Sequence, residues 1–230
     1  MSICHCEEAV ANETIWRRSS FSQPSVLPTQ WGHVIFTYVP IASTADIDTE
    51  HIMDRLKQSF DALATRGAMG VIPYLTVGFP SVKDTLSLVP ALVDGGADVI
   101  ELGVPFSDPL ADGPTIQRAS FHALGQGVNL GTCLQVCRQL RGDGVTTPLV
   151  FMGYYNPILS YGLERFAIDA QDAGLDGLIV PDLPFEEADA LQNTCRQHDI
   201  HLIPLLAPTS TDERIARSCK KAAGFVYCVS

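Results

Sequence analysis

Two carboxylates near the end of an apolar segment are the residues best suited to chemistry. Glu101 lies within the otherwise apolar run Val99–Gly103, where an ionised side chain is costly unless it is paired or protonated. Asp112 follows in Val104–Pro114, which contains three prolines and is expected to form a rigid loop. An acid on a buried strand and an acid on a rigid loop are solvated to different degrees. We therefore expect the two acids to have separated pKa values, as in an acid/base pair. The alternative is a structural Glu101 that is hydrogen-bonded to a neighbouring backbone group or tyrosine.

The elements that must position these acids alternate between amphipathic helices and apolar strands. Hydrophobic periodicity predicts helices at 55–66, 82–94, 115–124, 130–141, 163–172, 186–197 and 212–221. Apolar runs bounded by glycine, proline and polar residues predict strands at 71–77, 98–102, 148–152, 177–180, 201–205 and 224–229. This α/β alternation is typical of a parallel sheet covered by helices, which an open doubly wound sheet and a barrel both satisfy.

A weak internal repeat favours the barrel. Gly95–Asp98 (GGAD) precedes the second predicted strand, and Ala173–Asp176 (AGLD) precedes the fourth. The spacing gives βα units near the length found in eight-fold barrels. We therefore predict a TIM (βα)8-type barrel of which about six strands are present, with strands seven and eight missing. Such barrels carry their active sites at the C-terminal ends of the strands, where the two acids are placed.

The composition excludes several classes of protein. A chain of 230 residues that is 46% hydrophobic and 18% charged buries a large core, and its net charge of −11 argues against nucleic-acid binding. Its apolar runs fall short of the ~20 residues that span a membrane. Seven scattered cysteines favour a reducing cytosol and hence a cytoplasmic protein. The segment Cys4-His5-Cys6 lacks a second pair of ligands, so we predict no metal site.

The first 52 residues differ from the remainder of the chain. They combine serines, prolines and acids without a helical or strand period, and they resemble neither a signal peptide nor a transit peptide. We predict an irregular N-terminal extension at 1–52 and the partial barrel at 53–230. The alternative is that Met53 is the biological start.

One long motif resembles a known family. The segment Glu101–Gln117 (ELGVPFSDPLADGPTIQ) resembles the signature of the tryptophan synthase α subunit. The resemblance covers about residues 53–230 and includes Pro73–Pro80 (PYLTVGFP), Tyr154–Pro157 (YYNP), Val180–Pro184 (VPDLP) and Gly224–Ser230 (GFVYCVS). It implies a barrel lyase of tryptophan biosynthesis that cleaves indole-3-glycerol phosphate to indole and glyceraldehyde 3-phosphate by a retro-aldol reaction, without metal or cofactor.

The resemblance also implies roles for individual residues. Glu101 takes the position of the proton-transferring acid/base, and Asp112 that of the carboxylate that meets the indole N–H. The implied pocket-lining residues are Tyr74, Met152, Ile179 and Tyr227, with Thr76 and Asp182 as a supporting pair. Barrel filling is the alternative for each pocket residue, and a strand-end cap is the alternative for the pair.

A partner is implied as well. The family pairs the α subunit with a β subunit that holds pyridoxal phosphate, in an α2β2 heterotetramer, so no cofactor is expected in this chain. The sequence ends after the sixth predicted strand, whereas the family continues with phosphate-binding loops. A catalytically impaired α-like scaffold that docks on a β subunit, or an inactive fragment, is therefore the alternative to an active lyase.

Overall fold

Strands and helices alternate along the chain, whose computed structural model describes residues 54–222 and 224–229. The helices are α1 (Arg55–Arg66), α2 (Val82–Asp94), α3 (Pro114–Gly125), α4 (Leu130–Gly142), α5 (Tyr155–Tyr161), α6 (Leu163–Ala173), α7 (Asp189–Gln197) and α8 (Asp212–Lys221). The strands are β1 (Tyr74–Thr76), β2 (Ile100–Gly103), β3 (Leu149–Met152), β4 (Gly177–Ile179), β5 (His201–Ile203), β6 (Leu205–Leu206) and β7 (Tyr227–Cys228). The predicted extension at 1–52 lies outside the described residues.

The main sheet contains β1 to β5 in chain order. The pairs β1–β2, β2–β3 and β3–β4 are parallel. A doubly wound sheet reverses its strand order at a switch point, whereas a βα barrel adds each strand beside the previous one. The observed order therefore favours the barrel over the open sheet.

Side chains alternate between the two faces of this sheet. Ile100, Leu102 and Phe151 belong to the core that the strands share with the covering helices. Glu101 and Ile179, at the alternate positions, are buried outside that core cluster. The strand period thus turns Glu101 away from the helices.

Two aspartates explain the weak repeat of the sequence. The Asp98 carboxylate accepts a hydrogen bond from the Val71 N–H at 2.8 Å, and the Asp176 carboxylate accepts one from the Leu149 N–H at 2.7 Å. In each case the aspartate precedes its own strand and binds a backbone N–H at the start of the neighbouring strand or three residues before it. The repeated sequence is therefore a repeated connection at the N-terminal ends of the strands.

Helix α1 contacts both aspartates. Arg66, in its last turn, lies 3.5 Å from Asp98, and Arg55, in its first turn, lies 2.9 Å from Asp176. The Asp54 side chain caps the helix by accepting from the Lys57 N–H. This helix therefore joins the ends of two strands that are far apart in sequence.

The predicted strand 201–205 is divided in two. β5 belongs to the main sheet, whereas β6 pairs in parallel with β7. Pro204 stands between them and has no N–H for a strand ladder, although its carbonyl accepts from the Tyr227 N–H at 2.9 Å. The β6–α8–β7 unit has a small core of its own, formed by Leu206, Ile215, Cys219, Val226 and Cys228.

The sequence patterns did not predict α5. Its first N–H, at Tyr155, donates to the Asp182 carboxylate at 2.9 Å, a partner that is distant in sequence. The predicted helix at 186–197 also differs, because a 3-10 turn at Phe185–Glu187 precedes α7. Among the described helices, none is long and apolar enough to cross a membrane.

Candidate active site

Glu101 is the most deeply buried acid at the C-terminal end of the sheet. Its side chain is 2% exposed, and the strand register places it between Tyr74 on β1 and Val150 on β3. Burial, together with a smaller contribution from the negative charge of Asp112, raises the pKa of Glu101 to about 7. Within the described part of the chain, no residue donates a hydrogen bond to this carboxyl. A carboxyl with a pKa near neutrality can both release and accept a proton.

Asp112 lies in the loop that follows β2. Two backbone hydrogen bonds shape the loop: Leu110 N–H donates to the Asp108 carbonyl at 2.9 Å, and Asp112 N–H donates to the Pro109 carbonyl at 3.2 Å. The Asp112 side chain is half-buried, and burial raises its pKa while a hydrogen bond with Tyr154 opposes that rise. The two acids that the sequence singled out therefore lie close enough for their charges to interact.

Two further side chains hold this loop. Tyr154, directly before α5, accepts a hydrogen bond from the Ala111 N–H at 2.9 Å. Gln117, in α3, donates to the Asp112 carbonyl at 2.9 Å. The sequence analysis assigned neither role. Gln117 belongs to the long motif, and that position could have indicated its role. The contact of the Tyr154 hydroxyl with Ala111 depends on the neighbouring strand, so no local sequence feature indicated it.

Tyr74 lies across the end of β2. An ideal Cβ on Gly103 would stand 2.0 Å from the Tyr74 hydroxyl oxygen, so only glycine allows the ring to occupy this place. The hydroxyls of Tyr74 and Thr76 are 3.3 Å apart, and Thr76 is buried. A glycine in an apolar strand is the sequence signal for such a close approach.

Replacing Gly103 with alanine is expected to displace the Tyr74 ring. The clash breaks the contact with Thr76 and costs about 1–3 kcal/mol of unfolding free energy, as overpacking does. Urea denaturation of the variant measures this loss. Gly125→Ala is the matched control, because an added Cβ there meets nothing within 4 Å. Equal stability of the two variants would contradict the prediction.

Met152 and Ile179 lie side by side at the ends of β3 and β4. Their register continues through Gly103 to Thr76, so all four positions share the face on which Glu101 and Tyr74 lie. Ile179 is fully buried, and Met152 is partly exposed. Three of the implied pocket residues therefore share one face with the acid.

Comparison with known proteins identifies the family. Residues 60–230 match the family described as tryptophan synthase alpha chain. A tryptophan synthase alpha chain from Roseiflexus sp. (strain RS-1) is 53% identical over 178 residues, which are 77% of this chain and 68% of the relative. The chain belongs to the tryptophan synthase alpha chain family.

Solved structures of the family agree with the fold. Tryptophan synthase subunit alpha from Legionella pneumophila str. Paris superimposes with a TM-score of 0.76 at 42% identity, covering 78% of this chain and 68% of that one. Tryptophan synthase from M. tuberculosis in an aminoacrylate-bound form gives a TM-score of 0.73 at 41% identity, covering 76% and 71%. The alpha chain structures are TIM barrels, which confirms the predicted fold class.

The family also confirms the predicted reaction. Tryptophan synthase alpha chains are lyases that cleave indole-3-glycerol phosphate in tryptophan biosynthesis, and the family carries no cofactor of its own. In this member, the remaining implied residues are Asp182, Thr76 and Tyr227. Asp182 binds the first N–H of α5, and Thr76 contacts Tyr74. Tyr227 is buried on β7, in the β6–α8–β7 unit.

The other reactive groups of the described residues are metal-ligand types and cysteines. Among the described residues, no three His, Cys, Asp or Glu side chains are grouped to hold a metal ion. The described cysteines are buried and form no disulfide. Burial raises the pKa of Cys137 and Cys195 to about 12 and that of Cys228 to about 11. These thiols therefore lack the thiolate character of nucleophiles.

Proposed function

We propose that this chain cleaves indole-3-glycerol phosphate with Glu101 as the proton-transferring residue and Asp112 as the partner of the indole N–H. The observation that supports the proposal is the pairing of a buried carboxyl, whose pKa is about 7, with a second carboxyl on the following loop. Each acid has a different degree of burial. This difference in burial suits one group for proton transfer and the other for charge stabilisation.

The reaction needs three events at neighbouring atoms. Protonated Glu101 delivers its proton to C3 of the indole, and positive charge develops on the ring nitrogen. Ionised Asp112 stabilises that charge through the indole N–H. The Glu101 carboxylate then accepts the proton of the side-chain hydroxyl as the carbon–carbon bond to C3 breaks, which releases indole and glyceraldehyde 3-phosphate and restores protonated Glu101.

The apolar face around Glu101 would bind the indole ring. Tyr74, Met152 and Ile179 supply this surface from three adjacent strands, and we assign Tyr227 to the same ring. Thr76 would support the site by holding the Tyr74 hydroxyl. Asp182 would support it by holding the start of α5 next to Tyr154.

A β subunit that holds pyridoxal phosphate is the proposed partner, in an α2β2 assembly. Leu110 supports a contact surface at the loop, because it is 95% exposed at the tip of the segment that carries Asp112. Leu159 on α5 is 52% exposed. None of the described cysteines forms a disulfide, which supports the cytoplasm as the compartment. Co-purification with a β subunit and light scattering test the partner and the stoichiometry.

Replacing Asp112 with asparagine is expected to lower kcat for indole release by about 10²–10³-fold, because the neutral amide cannot stabilise the charge on the ring nitrogen. The assay measures indole released from indole-3-glycerol phosphate by the 230-residue chain alone. Asp108→Asn, an exposed neighbour in the same loop, is the matched control. Equal activity of the two variants would remove Asp112 from the mechanism, and an inactive folded wild type would favour the docking scaffold.

A further inference from the structure

We propose that Tyr154 is a positioning residue that holds the Asp112 carboxylate in place for the reaction, an inference that rests on the proposed function. Tyr154 lies at the point where β3 passes into α5, outside the segment that carries Asp112. Its side chain is 5% exposed, and its ring packs against that of Phe106 with centroids 5.1 Å apart. The Tyr154 ring is therefore buried against the loop that carries Asp112.

The hydroxyl of Tyr154 makes two contacts that complement one another. A phenol has one proton to donate and lone pairs that accept. A lone pair accepts from the Ala111 N–H at 2.9 Å, which leaves the proton free for the carboxylate of Asp112, the next residue. One hydroxyl therefore bonds the loop backbone at Ala111 and also interacts with the carboxylate of the next residue.

The ionisable groups around Asp112 explain why the carboxylate depends on the Tyr154 hydroxyl. Within residues 54–202, the ionisable groups coupled to Asp112 or Tyr154 are Glu101 on β2, Tyr74 on β1 and Asp182 after β4. None of these three carries a positive charge. Ionised Asp112 consequently depends on a neutral donor, and the Tyr154 interaction lowers the pKa of Asp112 against the effect of burial.

The test compares Tyr154→Phe with Tyr155→Phe. The first variant keeps the packing against Phe106 and loses only the hydroxyl, whereas the second loses the hydroxyl of the adjacent tyrosine. Carboxyl 13C NMR of the full chain measures the titration of Asp112, and amide hydrogen exchange measures the Ala111 N–H. Neither measurement requires turnover. A steady-state pH profile of indole release supplies the kinetic readout.

For Tyr154→Phe, we expect the pKa of Asp112 to rise by about one pH unit and Ala111 exchange to accelerate by about tenfold or more, since a hydrogen bond to a charged group is lost. The acid limb of kcat/KM should move to higher pH by the same amount, with kcat lowered more than KM is raised. Tyr155→Phe should reproduce the wild type in all three measurements.

Two results would overturn the inference. One is an unchanged Asp112 titration and Ala111 exchange in folded Tyr154→Phe. The other is a lower kcat with an unmoved acid limb, because a purely structural role gives that pattern. If the wild type releases no indole, the proposed function fails, while the two NMR measurements still decide whether Tyr154 holds Asp112.

Discussion

Replacing Glu101 with glutamine is expected to lower kcat for indole release by about 10²–10⁴-fold, the range that a general acid/base contributes. Glutamine has nearly the shape of the acid but cannot transfer a proton to C3 or accept one from the hydroxyl. In the wild type, kcat should fall as the pH rises above about 7, because Glu101 must be protonated to begin the reaction. The quantity measured is the pH dependence of indole release by the two chains.

The stability of the Glu101→Gln variant distinguishes a loss of catalysis from a loss of folding. Burial raises the pKa of Glu101 from 4.5 to about 7. The contribution of this carboxyl to the free energy of unfolding is therefore fully present below pH 4.5 and is lost as the pH rises through about 7. The free energy of unfolding of Glu101→Gln should therefore match that of the wild type near pH 4 and exceed it by about 3 kcal/mol above pH 7. An inactive variant that is less stable than the wild type at pH 8 would contradict this account.

Replacing Asp176 with asparagine is expected to cost about 3–5 kcal/mol of unfolding free energy, as breaking a buried ion pair does. The Asp176 side chain is 7% exposed and pairs with Arg141, which is 12% exposed, and with Arg55. Arg141 also donates to the carbonyls of Gly174, Val145 and Thr147. Asparagine can still accept from the Leu149 N–H, but it leaves two guanidinium groups without their counter-ion.

Asp98→Asn is the matched control for Asp176. Asp98 makes the equivalent backbone contact, with the Val71 N–H, but its partner Arg66 is 62% exposed and 3.5 Å away. An exposed pair of this kind contributes about 1 kcal/mol or less. Urea denaturation of both variants compares them directly, and similar losses would mean that the buried network adds nothing beyond the shared backbone contact.

Local sequence predicted several elements well because their ends are determined locally. The helices at 55–66, 82–94 and 212–221 begin and end where the patterns placed them. Asp54, Ser81 and Thr211 precede these helices and accept hydrogen bonds from their own first turns. A cap of this kind lies within a few residues of the helix, so a single sequence contains it.

Elements whose ends depend on distant residues were missed. The start of α5 is held by Asp182 across 27 residues of chain. The division of 201–205 into two strands follows from the different partners of β5 and β6 on either side of Pro204. Neither partner is visible in a local hydrophobic period, so the sequence patterns gave no element at α5 and predicted one continuous strand at 201–205.

The candidate site divides in the same way. The sequence by itself determined the family and the barrel class and singled out the two acids as candidates, since an acid within an apolar strand and the long motif after it are local features. Only the tertiary structure brought Tyr154 to Ala111 across 43 residues and Arg55 to Asp176 across 121. Such contacts depend on how β1 to β4 pair side by side, and strand pairing is a property of the assembled sheet, which no local segment encodes.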